Sequence, residues 1–135
     1  LFGVIGNAAA RATKREAGPN HQREAAAVLF VVDVETVHPR VERIAHKFLR
    51  EDELASILPE ERTAKLMLLW SAKEALYKLH GRKQLDFTTQ LLIEPFKMQT
   101  TGELYACVIA DGIKQDLKVS YEFFEGQVAA WVSGT

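Results

Sequence analysis

The chain has 135 residues, of which 47% are hydrophobic and 26% charged, and its formal net charge at pH 7 is -1. This composition excludes a disordered tail, and the low net charge gives no general attraction to nucleic acid. A chain of this length is expected to form one domain, in which folding buries about two-thirds of the unfolded chain's surface. Its single cysteine, Cys107, excludes an internal disulfide, and no apolar run reaches the ~18 residues of a membrane span. We therefore expect a cytoplasmic protein that does not enter the membrane.

The first strong signal in chain order is an apolar run of strand length over residues 25–34. Before it, residues 2–5 predict a short strand and residues 7–24 form a polar, alanine-rich region. Asp33 and Glu35 stand at the end of this run, on either side of Val34. Because side chains two apart on a strand face the same side, these two carboxylates are predicted to point together. Without further context, the simpler interpretation is that they end a strand and begin a loop.

Three helices are predicted next. Pro39 and the apolar spacing of residues 41–49 indicate an amphipathic helix, and a second short helix covers residues 51–58. The third runs from about Glu61 to His80, with Gly81 at its C-cap. It is apolar on nearly all sides, as expected for a helix that is packed on more than one side.

The last third of the chain predicts strands over residues 88–93, 103–110, 117–124 and 128–132. Asp111-Gly112 and Glu125-Gly126 supply turn residues between the last three, which favours an antiparallel meander. The predicted fold class is therefore α+β, with a long helix packed on an antiparallel sheet.

The charged residues of the third helix need an explanation in such apolar surroundings. Glu74 and Lys78 are four residues apart and Lys73 flanks them, so all three are predicted to project toward one end of the helix. The alternative is an ordinary exposed ion pair. Together with Asp33 and Glu35, Glu74 would complete three carboxylates of the kind that Mg²⁺ binds alongside phosphates, and the lysines would neutralise phosphate charge. The pattern favours transfer at a phosphate.

Asp33-Val34-Glu35, followed by Trp-Ser-Ala-Lys-Glu-Ala-Leu-Tyr-Lys at residues 70–78, resembles the two-part signature of the 4′-phosphopantetheinyl transferases. These enzymes load carrier proteins with the arm of coenzyme A. Residues 38–49 and Leu85-Asp86-Phe87 are similar to the two-lobed, surfactin-synthetase-activating branch of the family. The similarity extends from about Ala25 to the C-terminus.

The resemblance implies roles for individual residues. It implies that Asp33, Glu35 and Glu74 bind Mg²⁺, and that Lys73 and Lys78 lie near the pyrophosphate of coenzyme A. In the family the metal bridges the carboxylates and the pyrophosphate while a serine of the carrier protein attacks. Catalysis is assigned to Glu74 and Lys78, and the serine proton would pass to Glu74 or to water on the metal.

The resemblance also implies contacts further from the reacting phosphate. His21, which precedes the apolar run, matches the family histidine that contacts the 3′-phosphate of coenzyme A. The partner would be an acyl or peptidyl carrier protein, as in fatty acid biosynthesis. Carrier proteins are usually acidic along their recognition helix, so the basic residues of the first predicted helix are candidates for docking: Arg40, Arg43, Lys47 and Arg50.

The two-lobed branch has a longer first half than this sequence. Residues 1–24 are therefore interpreted as a remnant or part of a first lobe, and residues 25–135 as the lobe with the metal motif. If the 135 residues are the whole protein, we expect a homo-oligomer. If they are part of a longer chain, we expect a monomer, and this is the preferred interpretation. Two other functions stay open: a non-catalytic module that binds coenzyme A or a nucleotide, and a structural half-domain of the same fold.

Overall fold

The computed structural model describes residues 5–11, 29–81 and 84–134. Within these residues, the chain forms a six-stranded sheet and three α-helices, and short 3₁₀ turns precede the first and third helices. The elements in chain order are β1 (Ile5–Arg11), β2 (Leu29–Thr36), a 3₁₀ turn (Pro39–Ile44), α1 (Ala45–Phe48), α2 (Glu51–Ala55), a 3₁₀ turn (Pro59–Glu61), α3 (Arg62–His80), β3 (Leu91–Ile93), β4 (Thr101–Ala110), β5 (Ile113–Phe124) and β6 (Gln127–Gly134).

The sheet is antiparallel throughout, with the strand order β1-β2-β6-β5-β4-β3. The predicted meander of β4, β5 and β6 is confirmed. Its turns, Asp111-Gly112 and Glu125-Gly126, have positive φ at every position, with values of 55° and 76° in the first and 49° and 77° in the second. This backbone suits tight hairpins between twisted strands. Residues 7–11, described from the sequence only as polar and alanine-rich, belong to β1 and pair with β2.

Helix α3 crosses the inner face of the sheet and packs mainly on β2 and β6. Its predicted limits are confirmed, and it ends at Gly81, whose φ of 72° only glycine adopts without strain. The consecutive residues 66–69 are all buried, so this half of the helix is covered on every side. The predicted α+β architecture, with a long helix on an antiparallel sheet, is thus confirmed.

Three predicted elements are shorter in the structure. The helix predicted over residues 41–49 is a 3₁₀ turn followed by α1, and Leu49 is already extended. One reason is that the Phe48 carbonyl accepts a hydrogen bond from Lys73 and does not continue the helix. The second predicted helix ends at Ala55. The strand predicted over residues 88–93 begins only at Leu91, because the Asp86 carboxylate accepts hydrogen bonds from the Thr88 amide and hydroxyl and holds a turn there.

Candidate active site

Two buried carboxylates lie on the inner face of β2. Asp33 and Glu35 are both 0% exposed, and Val31, on the same face, is also fully buried. Val32 and Val34, which alternate with Val31, Asp33 and Glu35 along β2, point to the opposite face of the sheet and are only half-buried. The alternation places both carboxylates under α3, as the two-residue spacing predicts.

One stripe of α3 faces these carboxylates. Ser71 Oγ donates to the backbone carbonyl of Asp33 at 2.9 Å, and Lys78 Nζ donates to Asp33 Oδ1 at 2.9 Å. Lys78 Nζ also lies 4.0 Å from Glu74 Oε1. Positions 71, 74 and 78 follow helical spacing, so they share one side of α3. We call Ser71, Glu74 and Lys78 the site stripe. Ser71 was not predicted from the sequence, although it lies three residues before Glu74 and therefore on the same side of the helix.

Two oxygens of this cluster are buried without hydrogen-bond partners among the described residues. They are Asp33 Oδ2 and Glu35 Oε1. The other oxygen of Glu35, Oε2, accepts a hydrogen bond of 3.2 Å from the indole nitrogen of Trp70. Buried carboxylate oxygens without donors are costly and uncommon in folded proteins, so these two mark a place where either a shared proton or a bound cation is favoured.

The electrostatics of the cluster point the same way. Burial, followed by the neighbouring Asp33 carboxylate, raises the pKa of Glu35 from 4.5 to about 8. The pKa of Glu74 is also raised, first by burial and then by the charge of Asp33, while Lys78 opposes the rise. Mutual repulsion of carboxylates in a poorly hydrated site causes such shifts. A cation between them would remove the repulsion.

The described part of the chain contains no ready-made cluster of three or more histidine, cysteine, aspartate or glutamate groups around one metal position. Instead, the free oxygens belong to Asp33 and Glu35, and Lys78 lies between Asp33 and Glu74. This donor set still fits Mg²⁺, which commonly takes one or two protein carboxylates and completes its shell with phosphate and water.

Lys73 does not join the site stripe, so the prediction that it projects beside Glu74 and Lys78 is wrong. It is 0% exposed, and its Nζ donates to the carbonyls of Phe48 and Phe87, each at 2.8 Å, and to Glu53 Oε1 at 3.0 Å. These bonds use all three donors of the ammonium group. Successive residues of a helix differ by about 100° in direction, so Lys73 points away from Glu74. Burial lowers the pKa of Lys73, and Glu53 opposes the decrease.

His21, predicted to contact the 3′-phosphate, lies outside the described residues. The basic residues predicted to meet a carrier protein are all exposed, and one of them, Arg50, forms an exposed ion pair with Asp52 at 3.0 Å. Among the described helices, none is long and apolar enough to cross a membrane.

The model of one protein family, the 4′-phosphopantetheinyl transferase superfamily, matches residues 31–131. The match includes both carboxylates of β2 and the whole of α3, and it spans most of the chain. The chain belongs to this superfamily. No curated protein and no solved structure shows a significant match. The resemblance noted in the sequence is thus confirmed for the superfamily, while membership of the two-lobed branch stays a prediction.

Membership makes this chain a transferase of the phosphopantetheinyl kind. The superfamily uses coenzyme A as a substrate and typically a divalent metal, and carrier proteins are its usual partners. The buried carboxylates of β2 and the site stripe of α3 lie inside the matched region, and they supply the residue types that such chemistry needs.

Proposed function

We propose that this phosphopantetheinyl transferase moves the 4′-phosphopantetheine arm of coenzyme A to a serine of an acyl or peptidyl carrier protein and depends on Mg²⁺. The observation that supports this most strongly is the pair of unpartnered buried oxygens, Asp33 Oδ2 and Glu35 Oε1, next to the ammonium group of Lys78. The pair lies within the region that matches the superfamily.

In this proposal Asp33 and Glu35 hold the metal through these two oxygens, and Glu74 is the third carboxylate on the facing helix. Bound there, Mg²⁺ would supply positive charge that stabilises the pyrophosphate during transfer. The raised pKa of Glu35 agrees with a site that favours a cation, since a nearby positive charge stabilises the ionised carboxylate. Magnesium is proposed over softer ions because the donors are carboxylate oxygens.

Lys78 is proposed to bind the pyrophosphate of coenzyme A. Its side chain is 22% exposed, so the ammonium group can reach a ligand while it remains bonded to Asp33. Lys73, the other candidate from the sequence, has no donor left for a phosphate. Lys78 alone is therefore proposed as the phosphate contact, and Lys73 is not.

The reaction forms one bond and breaks one. The serine oxygen of the carrier attacks the phosphorus that bears the pantetheine arm, and the bond from this phosphorus to the bridging oxygen breaks. The bridging oxygen leaves with 3′,5′-adenosine bisphosphate, and the serine proton needs an acceptor. We propose Glu74, whose side chain is 19% exposed and whose pKa is raised by burial and by the charge of Asp33. A base with a pKa closer to the working pH accepts a proton more effectively.

The carrier protein is proposed to dock on the segment between β2 and α2. Arg40, Arg43 and Lys47 are exposed there, and an acidic recognition helix would complement them. The segment begins just after Glu35 and ends near Phe48, whose ring contacts Trp70 at 5.2 Å between centroids. A carrier on this surface would therefore hold its serine near the buried carboxylates.

The test is to incubate the full-length protein with coenzyme A, Mg²⁺ and an apo carrier protein, and to weigh the carrier by mass spectrometry. We expect its mass to rise by one phosphopantetheine arm. Glu74→Gln should abolish the change without unfolding the protein, because it replaces a partly exposed carboxylate by a neutral group of the same shape. Glu103→Gln is the matched control, since Glu103 is exposed on β4 and pairs with the exposed Lys118 at 3.7 Å. An unmodified carrier, or full activity of Glu74→Gln, would contradict the proposal.

A further inference from the structure

A second stripe of α3, adjacent to the site stripe, contains Trp70, Lys73 and Tyr77. It faces the segments that end α1 and precede β3, and we call it the support stripe. Both Trp70 and Tyr77 contact the ring of Phe87, at 6.0 Å and 5.3 Å between centroids. The chemistry proposed above uses none of these three side chains, yet they include a fully buried charge.

Lys73 ties together two parts of the chain that are distant in sequence. It donates to the carbonyl of Phe48, at the end of α1, and to the carbonyl of Phe87, in the turn before β3. Its third bond is to Glu53, whose carboxylate also accepts from the backbone amides of Arg50 at 2.9 Å and Ile93 at 3.2 Å. Every donor and acceptor of the ion pair is thereby used, so Phe48 and Phe87 are fixed relative to α3.

The same two phenylalanines enclose the indole of Trp70. The Phe48 ring meets it edge-on at 5.2 Å, and the Phe87 ring lies at 6.0 Å with an interplanar angle of 31°. Trp70 Nε1 in turn donates to Glu35 Oε2 at 3.2 Å. A continuous set of contacts therefore runs from the buried ammonium of Lys73, through two rings, to one of the two carboxylates with an unpartnered oxygen.

We propose that Trp70, held in place by Lys73 and Glu53, is a positioning residue that orients the Glu35 carboxylate. Donation to Oε2 leaves Oε1 directed into the cluster with Asp33. This inference rests on the proposed function, because it takes Glu35 as a metal ligand. Carboxylates that bind metals are commonly oriented by such outer hydrogen bonds, and loss of one typically weakens metal binding about 10–100-fold.

The chain offers matched variants for a test. Trp70→Phe removes the indole donor and keeps an aromatic ring between Phe48 and Phe87. Lys73→Met removes the ammonium group and keeps the length of the side chain. Lys65→Met is the control, because Lys65 is also buried on α3 and donates to a phenylalanine carbonyl, that of Phe96 at 3.1 Å, but it is not part of these contacts. Trp131→Phe, on the outer face of β6, is the control for loss of an indole.

The first measurement follows the Trp70 indole N–H by nuclear magnetic resonance in the full-length protein. It is assigned by its disappearance in Trp70→Phe. We expect slow exchange with water in the wild type and in Lys65→Met. In Lys73→Met we expect the indole to exchange at least about tenfold faster than the backbone amides of β2, which report global unfolding in the same sample. An unchanged rate in Lys73→Met, measured while the protein is folded, would overturn the proposed link between Lys73 and Trp70.

The second measurement is Mn²⁺ binding in the presence of coenzyme A, followed by electron paramagnetic resonance. Trp70→Phe and Lys73→Met should raise the dissociation constant about tenfold, whereas Lys65→Met and Trp131→Phe should leave it unchanged. Partial unfolding raises the apparent constant by the reciprocal of the folded fraction, so each constant is corrected for the folded fraction obtained from urea unfolding of the same variant. If Trp70→Phe binds Mn²⁺ like the wild type while Glu35→Gln does not, the positioning role is wrong and the proposed function stands. If Glu35→Gln also binds normally, the proposed metal site itself fails.

Discussion

Two lysines of α3, little more than one turn apart, each pair with a buried carboxylate from another element, and the two pairs differ in what surrounds them. The Lys73–Glu53 pair has a separation of 3.0 Å, and the Lys78–Asp33 pair 2.9 Å. In the first pair both side chains are buried and every polar atom is bonded. In the second, the lysine is 22% exposed and Asp33 keeps an unpartnered oxygen among the described residues.

The two pairs have nearly the same separation, so distance does not tell a structural pair from one that can take part in a reaction. The hydrogen bonding around each pair does. A fully bonded buried pair fixes the surrounding structure and leaves no capacity for a ligand. A buried pair with an unpartnered oxygen can still bind a charged ligand. Carboxylates with shifted pKa values beside such a pair indicate a functional site. On this basis we assign Lys73 to the scaffold and propose Lys78 for the site, although they share one sequence motif.

The largest effect is expected from breaking the scaffold pair. Lys73→Met leaves the buried Glu53 charge without its partner, and we expect the free energy of unfolding to fall by about 3–5 kcal/mol. Lys65→Met, which removes a hydrogen bond to the Phe96 carbonyl and the contact of the ammonium group with the Phe96 ring at 4.5 Å, should cost about 1–2 kcal/mol. Urea unfolding of both variants measures the difference. Equal stabilities of the two variants would show that the Lys73–Glu53 pair has no special structural role.

The carboxylates of the two pairs should respond in opposite ways. Asp33→Asn should lower the transfer rate about 10²–10³-fold, a loss like that of one preorganised electrostatic contact in an active site. It should change the free energy of unfolding by less than about 1 kcal/mol, because it also removes repulsion from Glu35 and Glu74. Glu53→Gln should instead destabilise the protein, since Lys73 keeps a buried charge. Both variants are compared by their transfer rates and by urea unfolding. An Asp33→Asn variant with wild-type activity would show that the Lys78–Asp33 pair is not needed for the reaction.

Stability should also depend on pH through the buried carboxyl group of Glu35. The pKa of Glu35 is about 8 in the folded protein and about 4.5 when unfolded, so between these values the folded state holds a proton that the unfolded state has lost. The free energy of unfolding should therefore decrease as pH rises from about 4.5 to about 8, by at most about 1.4 kcal/mol per pH unit. Glu35→Gln removes this component. Identical pH profiles of the wild type and Glu35→Gln in metal-free buffer would contradict the assignment.

The smallest effect concerns the ligand. Lys78→Met should weaken coenzyme A binding about tenfold, the usual scale for one charge-assisted contact. As a pyrophosphate contact, it should weaken dephospho-coenzyme A equally. His21→Ala should instead reduce the discrimination between the two ligands, if it contacts the 3′-phosphate. Calorimetric titrations with both ligands measure this, and a loss in Lys78→Met confined to coenzyme A would place that lysine at the 3′-phosphate.

Local patterns predicted the parts of the fold that local rules determine. The two-residue alternation placed Asp33 and Glu35 on one face, Gly81 ended α3, and Asp111-Gly112 and Glu125-Gly126 formed turns. Each of these depends on neighbours within a few residues.

The features that could not be predicted from the sequence depend on residues far away along the chain. The direction of Lys73 is set by the carbonyls of Phe48 and Phe87, and no spacing within residues 70–78 indicates that they lie beside it. The hydrogen bond of Ser71 to the Asp33 carbonyl likewise joins two distant elements. The motif predicts a site on α3 but could not assign its two lysines to different stripes.

The most direct test of this account is calorimetric titration of Mg²⁺ into the full-length protein with coenzyme A, for the wild type, Asp33→Asn and Glu53→Gln. The account predicts that the wild type binds Mg²⁺, that folded Asp33→Asn loses this binding, and that the folded fraction of Glu53→Gln retains it, with at most the tenfold weakening expected from loss of support. Binding of Mg²⁺ by Asp33→Asn at wild-type affinity would contradict the central claim that the incompletely bonded carboxylates of β2 form the active site.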